Sequence, residues 1–213
     1  MSDPFLAPGR YIDSDHPDVR AFARRHALGA DERERAVSLY YAVRDGIRYN
    51  PFLDFSTDAP FRASGCIAAG QGFCVGKAAL LAACARVEGI PARVGFADVK
   101  NHLTTPQLRA RMGTDLFVYH GYTELFLEGK WVKATPAFNL ELCRRFRVKA
   151  LEFDGREDSI FHPFDEEDRR HMEYVQDRGS RADVPAAEIM QAFRETYPAL
   201  YAQGRDAAKE RFG

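Results

Sequence analysis

Residues 71–86 constrain the fold of this chain more than any other segment. Gly72 and Phe73 complete a turn, and Cys74 then opens an Ala/Leu-rich run whose composition predicts a helix. The longest wholly apolar part of the run, residues 78–85, is far too short to span a bilayer. The sequence thus predicts a thiol in the first turn of a helix.

Cys74 is a candidate nucleophile because of that position. The first turn of a helix carries unpaired N–H groups and a partial positive charge. Both favour the thiolate, which is the reactive form of cysteine. The alternative is a small buried residue, which is what most free cysteines are and what we expect of Cys84 in the middle of the same run.

A hairpin further along the chain offers a candidate base. Residues 119–127 have the pattern of a strand, residues 128–130 that of a turn, and residues 131–135 that of an antiparallel partner strand. A cysteine nucleophile needs a nearby base, usually a histidine that is distant in sequence but close in space. We expect His120 to face the helix that carries Cys74 and to provide this base.

Together the two segments resemble the transglutaminase-like superfamily of papain-type cysteine enzymes. The cysteine block of that family reads roughly G-x-C, an Ala/Leu-rich helix and G-I-P-A-R, and this chain has GFC at 72–74 and GIPAR at 89–93. The histidine block reads roughly H-A-W-x-E-h, with h apolar, and then W-x-x-x-D-P. Here residues 120–125 read HGYTEL and residues 131–136 read WVKATP. The resemblance runs from near Ala36 to Asn139.

The resemblance implies an α+β fold with a papain-like transglutaminase core. In such a fold, N-terminal helices accompany a nucleophile-bearing helix that packs on an antiparallel β-sheet. It also implies acyl transfer on a peptide or small amide substrate, with a thioester at Cys74, His120 as acid and base, and no metal or organic cofactor. The family includes amide hydrolases, proteases and cross-linking acyltransferases, so water and an amine both stay open as acceptors.

This chain departs from the family at the third catalytic residue. The family has an aspartate just before the proline of the second block, and Thr135 occupies that position here. If residues 128–129 form the centre of the turn, His120 faces residue 137, and residues 135 and 139 are its diagonal neighbours. Thr135 or Asn139 is therefore a candidate to orient His120. Asn139 is equally typical of the N-cap of a following helix.

Gln71 is the remaining candidate for the site. Papain-like enzymes often hold the oxyanion with an upstream glutamine side chain together with the backbone N–H of the cysteine. Gln71 lies close before Cys74 in the sequence and fits that role, while a plain polar loop residue is the alternative.

Composition and charge limit the partners. The net charge is −1, from 30 basic and 31 acidic residues, which gives no electrostatic reason to expect nucleic acid or an anionic membrane as a partner. The four cysteines form no C-x-x-C pair, which argues against a structural zinc site. The first residues lack the positive start and apolar core of a signal peptide, so we expect a cytoplasmic protein.

We expect residues 1–213 to form one domain, with a core at about 36–139 and a family-specific extension at 163–213. Residues 50–70 read as a long connection that is either a lid or a plain surface loop. Four residues at the start of the extension and just before it could be taken for metal ligands, but a charged helix start explains them better: His162, Asp165, Asp168 and His171. The other expected elements are helices at 17–27, 30–44, from 105, 139–146 and 185–197, and strands at 93–99, 148–153 and 158–161.

Two rival functions remain open at this point. The missing aspartate is compatible with a catalytically weakened or inactive binding module on the same fold. An arylamine N-acetyltransferase-like enzyme with an acyl-thioester donor would also use a cysteine and a histidine. Acetylation of Cys74 by acetyl-CoA would separate this second rival from an amidase.

Overall fold

The computed structural model describes residues 3–101, 109–110, 112–160 and 172–198. Within these ranges six α-helices are present: α1 Pro17–His26, α2 Glu32–Gly46, α3 Ala63–Ala69, α4 Cys74–Val87, α5 Leu140–Phe146 and α6 Ala186–Thr196. The strands are β1 Arg48–Tyr49, β2 Gln71–Gly72, β3 Ala92–Asn101, β4 Leu116–Leu127, β5 Lys130–Ala134 and β6 Met172–Arg181. The first residues of the expected helix from Thr105, the tail from residue 199 and the group from His162 to His171 lie outside the described residues, and residues 109, 110 and 112 are helical.

The strands form two sheets. The main sheet has the order β5-β4-β3-β6, and every pair in it is antiparallel. The short strands β1 and β2 form a separate parallel pair. The helices with the antiparallel sheet confirm the predicted α+β fold, while β6, in the extension, was not predicted.

The hairpin has the predicted register. Leu127 pairs with Lys130 across the turn, and Thr123 pairs with Ala134. Both turn residues have positive φ, 49° at Glu128 and 85° at Gly129, as the two-residue turns that match the twist of a hairpin require. However, β5 ends at Ala134. The cross-strand register therefore does not extend to residues 135–139, and it gives no support for placing them beside His120.

Helix α4 is the centre of the fold. Its residues from Cys74 to Arg86 are all buried, as expected for a helix that is apolar around its whole circumference. The helix packs on β4, where the Thr123 hydroxyl donates a hydrogen bond to the carbonyl of Ala78 at 2.8 Å. At Gly121 a Cβ atom would lie 2.9 Å from the Cα of Val75, so only glycine lets the strand come this close. The first turn of α4 thus touches β4 one residue after His120.

Two parts of the chain differ from the expected elements. Helix α3 lies inside the segment expected to be a long connection. Residues 148–153 form no strand, and near 158–161 the described residues show a single bridge between Ser159 and Ala134. Side chains of α2 explain the missing strand at 148–153, because Tyr40 and Arg44 both donate to the carbonyl of Leu151. That carbonyl therefore needs no neighbouring strand.

Lys77 is a buried cation that joins α4 to the end of α2. Its Nζ donates hydrogen bonds to the carbonyls of Arg44, at 2.9 Å, and Ile47, at 2.6 Å. These carbonyls lie where α2 ends and lack partners within the helix. Burial lowers the pKa of Lys77 to about 7.

We expect Lys77→Met to lower the free energy of unfolding by about 2 kcal/mol, because two buried carbonyls lose their donor. Since the pKa of Lys77 is lower in the folded than in the unfolded protein, the unfolded state binds more protons between about pH 7 and pH 10. The wild type should therefore gain stability over this window relative to the variant. Urea unfolding of both proteins at several pH values measures this, and the same pH slope in both would contradict it.

Candidate active site

Cys74 is the first residue of α4 and is 8% exposed. Backbone N–H groups of Gly121, Val75 and Cys74 itself favour the thiolate, as expected at the start of a helix. Burial has the larger effect and raises the pKa of the thiol to about 11. In this closed structure Cys74 is therefore a neutral thiol at neutral pH, in contrast to the thiolate that its position predicts.

His120 lies on β4 and is 3% exposed. Burial lowers the pKa of its imidazole to about 3, so the ring is neutral at neutral pH. The next residue, Gly121, packs against Val75 in the first turn of α4, and its backbone N–H lowers the pKa of the Cys74 thiol. The structure thus brings the backbone at His120 to the first turn of α4. A neutral thiol and a neutral imidazole are the resting forms in this site.

Gln71 forms the short strand β2, immediately before the turn into α4. Its side-chain oxygen accepts hydrogen bonds from the guanidinium of Arg48 and, at 3.3 Å, from the side-chain amide of Asn50. These two contacts fix which end of the Gln71 amide faces Arg48. The NH₂ end is then left to donate, which is what an oxyanion donor must do.

Thr135 and Asn139 have different surroundings. The Thr135 hydroxyl is buried and makes no hydrogen bond within the part of the chain that the structure describes. Asn139 occupies the N-cap position of α5, but its side chain makes no capping hydrogen bond. Its Oδ1 accepts instead from the backbone N–H of Tyr49 at 3.2 Å. Asn139 is thus engaged with β1, whereas the Thr135 hydroxyl can still form a hydrogen bond.

An aromatic cluster adjoins Cys74 through Phe73, the residue before it; we call it the aromatic cover and define it as Phe55, Phe73, Phe193 and Tyr197. Phe55, from the connection after β1, packs on Phe73 at 4.9 Å between ring centroids, and on Phe193 of α6 at 5.5 Å. Tyr197 packs on Phe193 at 5.5 Å. Burial raises the pKa of the Tyr197 hydroxyl, and a negative charge on Cys74 would raise it further. Because Cys74 is only 8% exposed, we expect a substrate to displace part of this cover to reach the sulfur.

The sequence analysis did not identify Phe193 and Tyr197 as site residues. Both come from the extension: Phe193 lies in the last turn of α6, and Tyr197 follows the last residue of that helix, four positions after Phe193. That aromatic pair was visible in the sequence, but its packing partner was not, because Phe73 and Phe55 are far away along the chain.

We expect Phe193→Ala to speed alkylation of Cys74 by iodoacetamide at pH 7.5 by at least tenfold. The reason is that burial raises the pKa of this thiol, and opening the cover hydrates it and moves its pKa toward the ordinary ~8.5. Mass spectrometry of the labelled peptide gives the rate. Phe153→Ala is the matched control, because Phe153 is buried against Tyr40 in another part of the core.

Cys84 serves as an internal monitor in the same experiment. It lies in the middle of α4 and is fully buried, so its labelling reports unfolding of the whole helix. Equal labelling of Cys74 and Cys84 in Phe193→Ala, or equal Cys74 rates in the two variants, would contradict a local cover.

Comparison with known proteins bears on the fold. Residues 20–136, more than half of the chain, match the model of the transglutaminase-like superfamily. A crystal structure of a candidate cysteine protease from Cytophaga hutchinsonii is similar over 86% of this chain and 48% of that one, with 18% identity and a TM-score of 0.51. A candidate protease from Parabacteroides distasonis is similar over 55% and 23%, with 16% identity and a TM-score of 0.39. No curated protein sequence gives a match.

The likeness to the first solved structure concerns the fold. At 18% identity the first structure shows a shared fold, and this chain spans less than half the length of either relative. Among the described residues, no helix is both long enough and apolar enough to cross a membrane. The same residues contain no group of three or more His, Cys, Asp or Glu side chains arranged to hold a metal ion.

Proposed function

Because the chain belongs to the transglutaminase-like superfamily, we propose that it is a cysteine enzyme that transfers the acyl group of an amide through a thioester at Cys74. One observation carries this proposal: Cys74 opens α4, and the first turn of that helix packs directly on Gly121 of β4, the residue after His120. A cysteine thiol with a histidine base close in space is the pair that such chemistry uses.

The reaction follows from the neutral resting forms. As the Cys74 sulfur attacks the amide carbonyl, His120 takes the thiol proton, and the carbonyl oxygen becomes an oxyanion. The N–H of Cys74 and the NH₂ of Gln71 are the donors proposed to hold that oxyanion. His120 then gives the proton to the leaving amine, and the C–N bond breaks to leave a thioester. Water, or a second amine, attacks the thioester while His120 takes its proton, and the proton returns to the sulfur.

Thr135 and Asn139 are the candidates for orienting His120, and Thr135 is the better supported. Its buried hydroxyl makes no hydrogen bond within the described residues, whereas the side chain of Asn139 already accepts a hydrogen bond from the N–H of Tyr49. We expect Thr135→Val, which keeps the shape but removes the hydroxyl, to lower turnover by about tenfold. Asn139→Ala should have the smaller effect. Steady-state rates of both variants test this, and two unchanged rates would rule out both residues.

A screen with short peptide esters and peptide amides tests the proposed function. Intact-protein mass spectrometry detects an acyl group on the protein, and peptide mapping assigns it to Cys74. A primary amine added at the same time distinguishes the acceptors, because hydrolysis gives a free acid and transfer gives a new amide. Acetyl-CoA in a parallel reaction tests for an acetyltransferase instead.

A binding module on the same fold is the alternative function. The closed aromatic cover and the threonine in place of the family aspartate are the observations that favour it. Peptide binding without acylation of Cys74 or release of amine would support this alternative. The cytoplasmic location, the single-domain organisation and the lack of nucleic-acid and membrane partners stay predictions.

A further inference from the structure

Strand β4 is irregular immediately before His120. Ala97 of β3 pairs with His120 and Val99 pairs with Phe117, so two residues of β4 lie opposite the single residue Asp98. Tyr119, one of these two, has a φ of 53°, which is a strained conformation for a residue with a side chain. The irregularity is a β-bulge, and bulges of this kind redirect the side chains that follow them.

An ion pair with a buried carboxylate holds the strained residue. The carboxylate of Asp98 accepts the backbone N–H of Tyr119 at 3.0 Å. Arg178 of β6 donates to both oxygens of this carboxylate, at 2.6 and 2.7 Å. The guanidinium carbon of Arg178 also lies 4.3 Å from the centre of the Tyr119 ring. The pair thus restrains Tyr119 at its backbone and at its ring.

A tyrosine of the extension holds the other side of the bulge. The hydroxyl of Tyr197 accepts the N–H of Val118 at 2.7 Å and donates to the carbonyl of Leu116 at 3.0 Å. Both Arg178 and Tyr197 lie beyond the residues that match the superfamily. The extension therefore supplies two of the groups that fix the strand before His120.

We propose that Asp98 and Arg178 are positioning residues that maintain the bulge at Tyr119 and so fix His120 relative to Cys74. A strained φ persists only where the surrounding contacts enforce it. Without the pair, Tyr119 relaxes toward ordinary strand geometry and the bulge is lost. A shift of one residue in strand register moves side chains to the opposite face of a sheet, so His120 would leave its place. The proposal rests on the proposed function of His120 as the base.

Glu124 provides a matched control on the same two strands. Asp98 and Glu124 are both 4% exposed, and each pairs with an arginine. Arg93, the partner of Glu124, lies over the Trp131 ring at 4.2 Å, much as Arg178 lies over Tyr119. Glu124→Gln therefore removes an equivalent charge from a pair that does not hold the bulge.

The test compares Asp98→Asn with Glu124→Gln. We expect both to lose a similar amount of stability in urea unfolding, and Asp98→Asn alone to slow acylation of Cys74 by a peptide ester at least thirtyfold. We also expect Asp98→Asn to move the NMR signal of the His120 ring, and Glu124→Gln to leave it in place. Arg178→Met should also slow acylation of Cys74 and move the His120 signal. It serves as the test variant if Asp98→Asn does not fold.

A rescue variant separates positioning from general stability. Glycine adopts a positive φ without strain, so Tyr119→Gly needs no ion pair to keep the bulge. Adding it to Asp98→Asn should restore at least a third of the lost acylation rate. No rescue, or equal slowing in Asp98→Asn and Glu124→Gln, would overturn the proposal.

The His120 signal makes the two proposals separable. A wild type that no peptide ester acylates would refute the proposed function. The positioning proposal is then decided by NMR, because an unmoved His120 signal in Asp98→Asn refutes it independently of any activity.

Discussion

Replacement of Cys74 by alanine is expected to lower amide turnover by about a million-fold, the loss seen when a covalent enzyme loses its nucleophile. The proposed reaction passes through a bond between the Cys74 sulfur and the acyl carbon, and alanine offers no atom for that bond. Binding of the substrate should be little changed, because the substitution removes a single buried sulfur atom and leaves the rest of the site in place. Amine release measured over days, together with the mass of the protein after exposure to a peptide ester, gives the result.

Cys66 and Cys84 are the matched controls for this experiment. Both are buried cysteines, and burial raises the pKa of Cys66 to about 12. Neither sulfur is used in the proposed mechanism. Cys66→Ala and Cys84→Ala should therefore keep turnover within about threefold of the wild type if they fold. Turnover by Cys74→Ala at a tenth of the wild-type rate or more would be incompatible with a thioester at this residue.

The parts of the fold that local sequence determines were predictable. The Ala/Leu-rich run predicted α4 with Cys74 at its first position, and Glu128-Gly129 predicted the turn that sets the hairpin register. Both follow from patterns within about fifteen residues. Strand β6 was not predicted, because most of its residues are exposed and polar, as is usual for a strand at the edge of a sheet.

The electrostatics of the site were not predictable in the same way. The helix start predicted a thiolate at Cys74, and the N–H groups there do favour it. Burial opposes this and raises the pKa of the thiol. The aromatic cover near Cys74 includes Phe55, Phe193 and Tyr197, which belong to segments far from Cys74 in the sequence. The bulge was equally hidden, since a tyrosine with positive φ has no sequence signature and glycine is the residue normally expected there.

The burial of Cys74 changes how alkylation data should be interpreted. Slow labelling of Cys74 near pH 7 would ordinarily suggest an inactive binding module. Here the closed cover predicts slow labelling even in an active enzyme, because burial raises the pKa of the thiol to about 11. Acylation by a substrate, which can displace the cover, is therefore a better test of function than alkylation by a small reagent.

His120→Gln is expected to lower kcat/KM for an amide by about a thousandfold at pH 7, within the range for loss of a general acid and base. Glutamine keeps a polar side chain in the buried position but cannot take up the thiol proton. His26→Gln is the matched control, because His26 is a histidine of α1 that packs against Phe22 and has no part in the mechanism. It should leave kcat/KM within about twofold of the wild type.

The pH dependence makes this prediction specific. In the free wild-type enzyme the pKa of His120 is about 3 and that of Cys74 about 11, so both groups stay neutral and kcat/KM should be flat between about pH 5 and pH 9. Without His120 the thiol must ionise by itself. Below its pKa the thiolate fraction then rises tenfold with each pH unit. The kcat/KM of the variant should therefore rise about a hundredfold between pH 7 and pH 9, while that of the wild type stays constant. A flat profile for His120→Gln would show that His120 is not the base, whatever the size of the loss at pH 7.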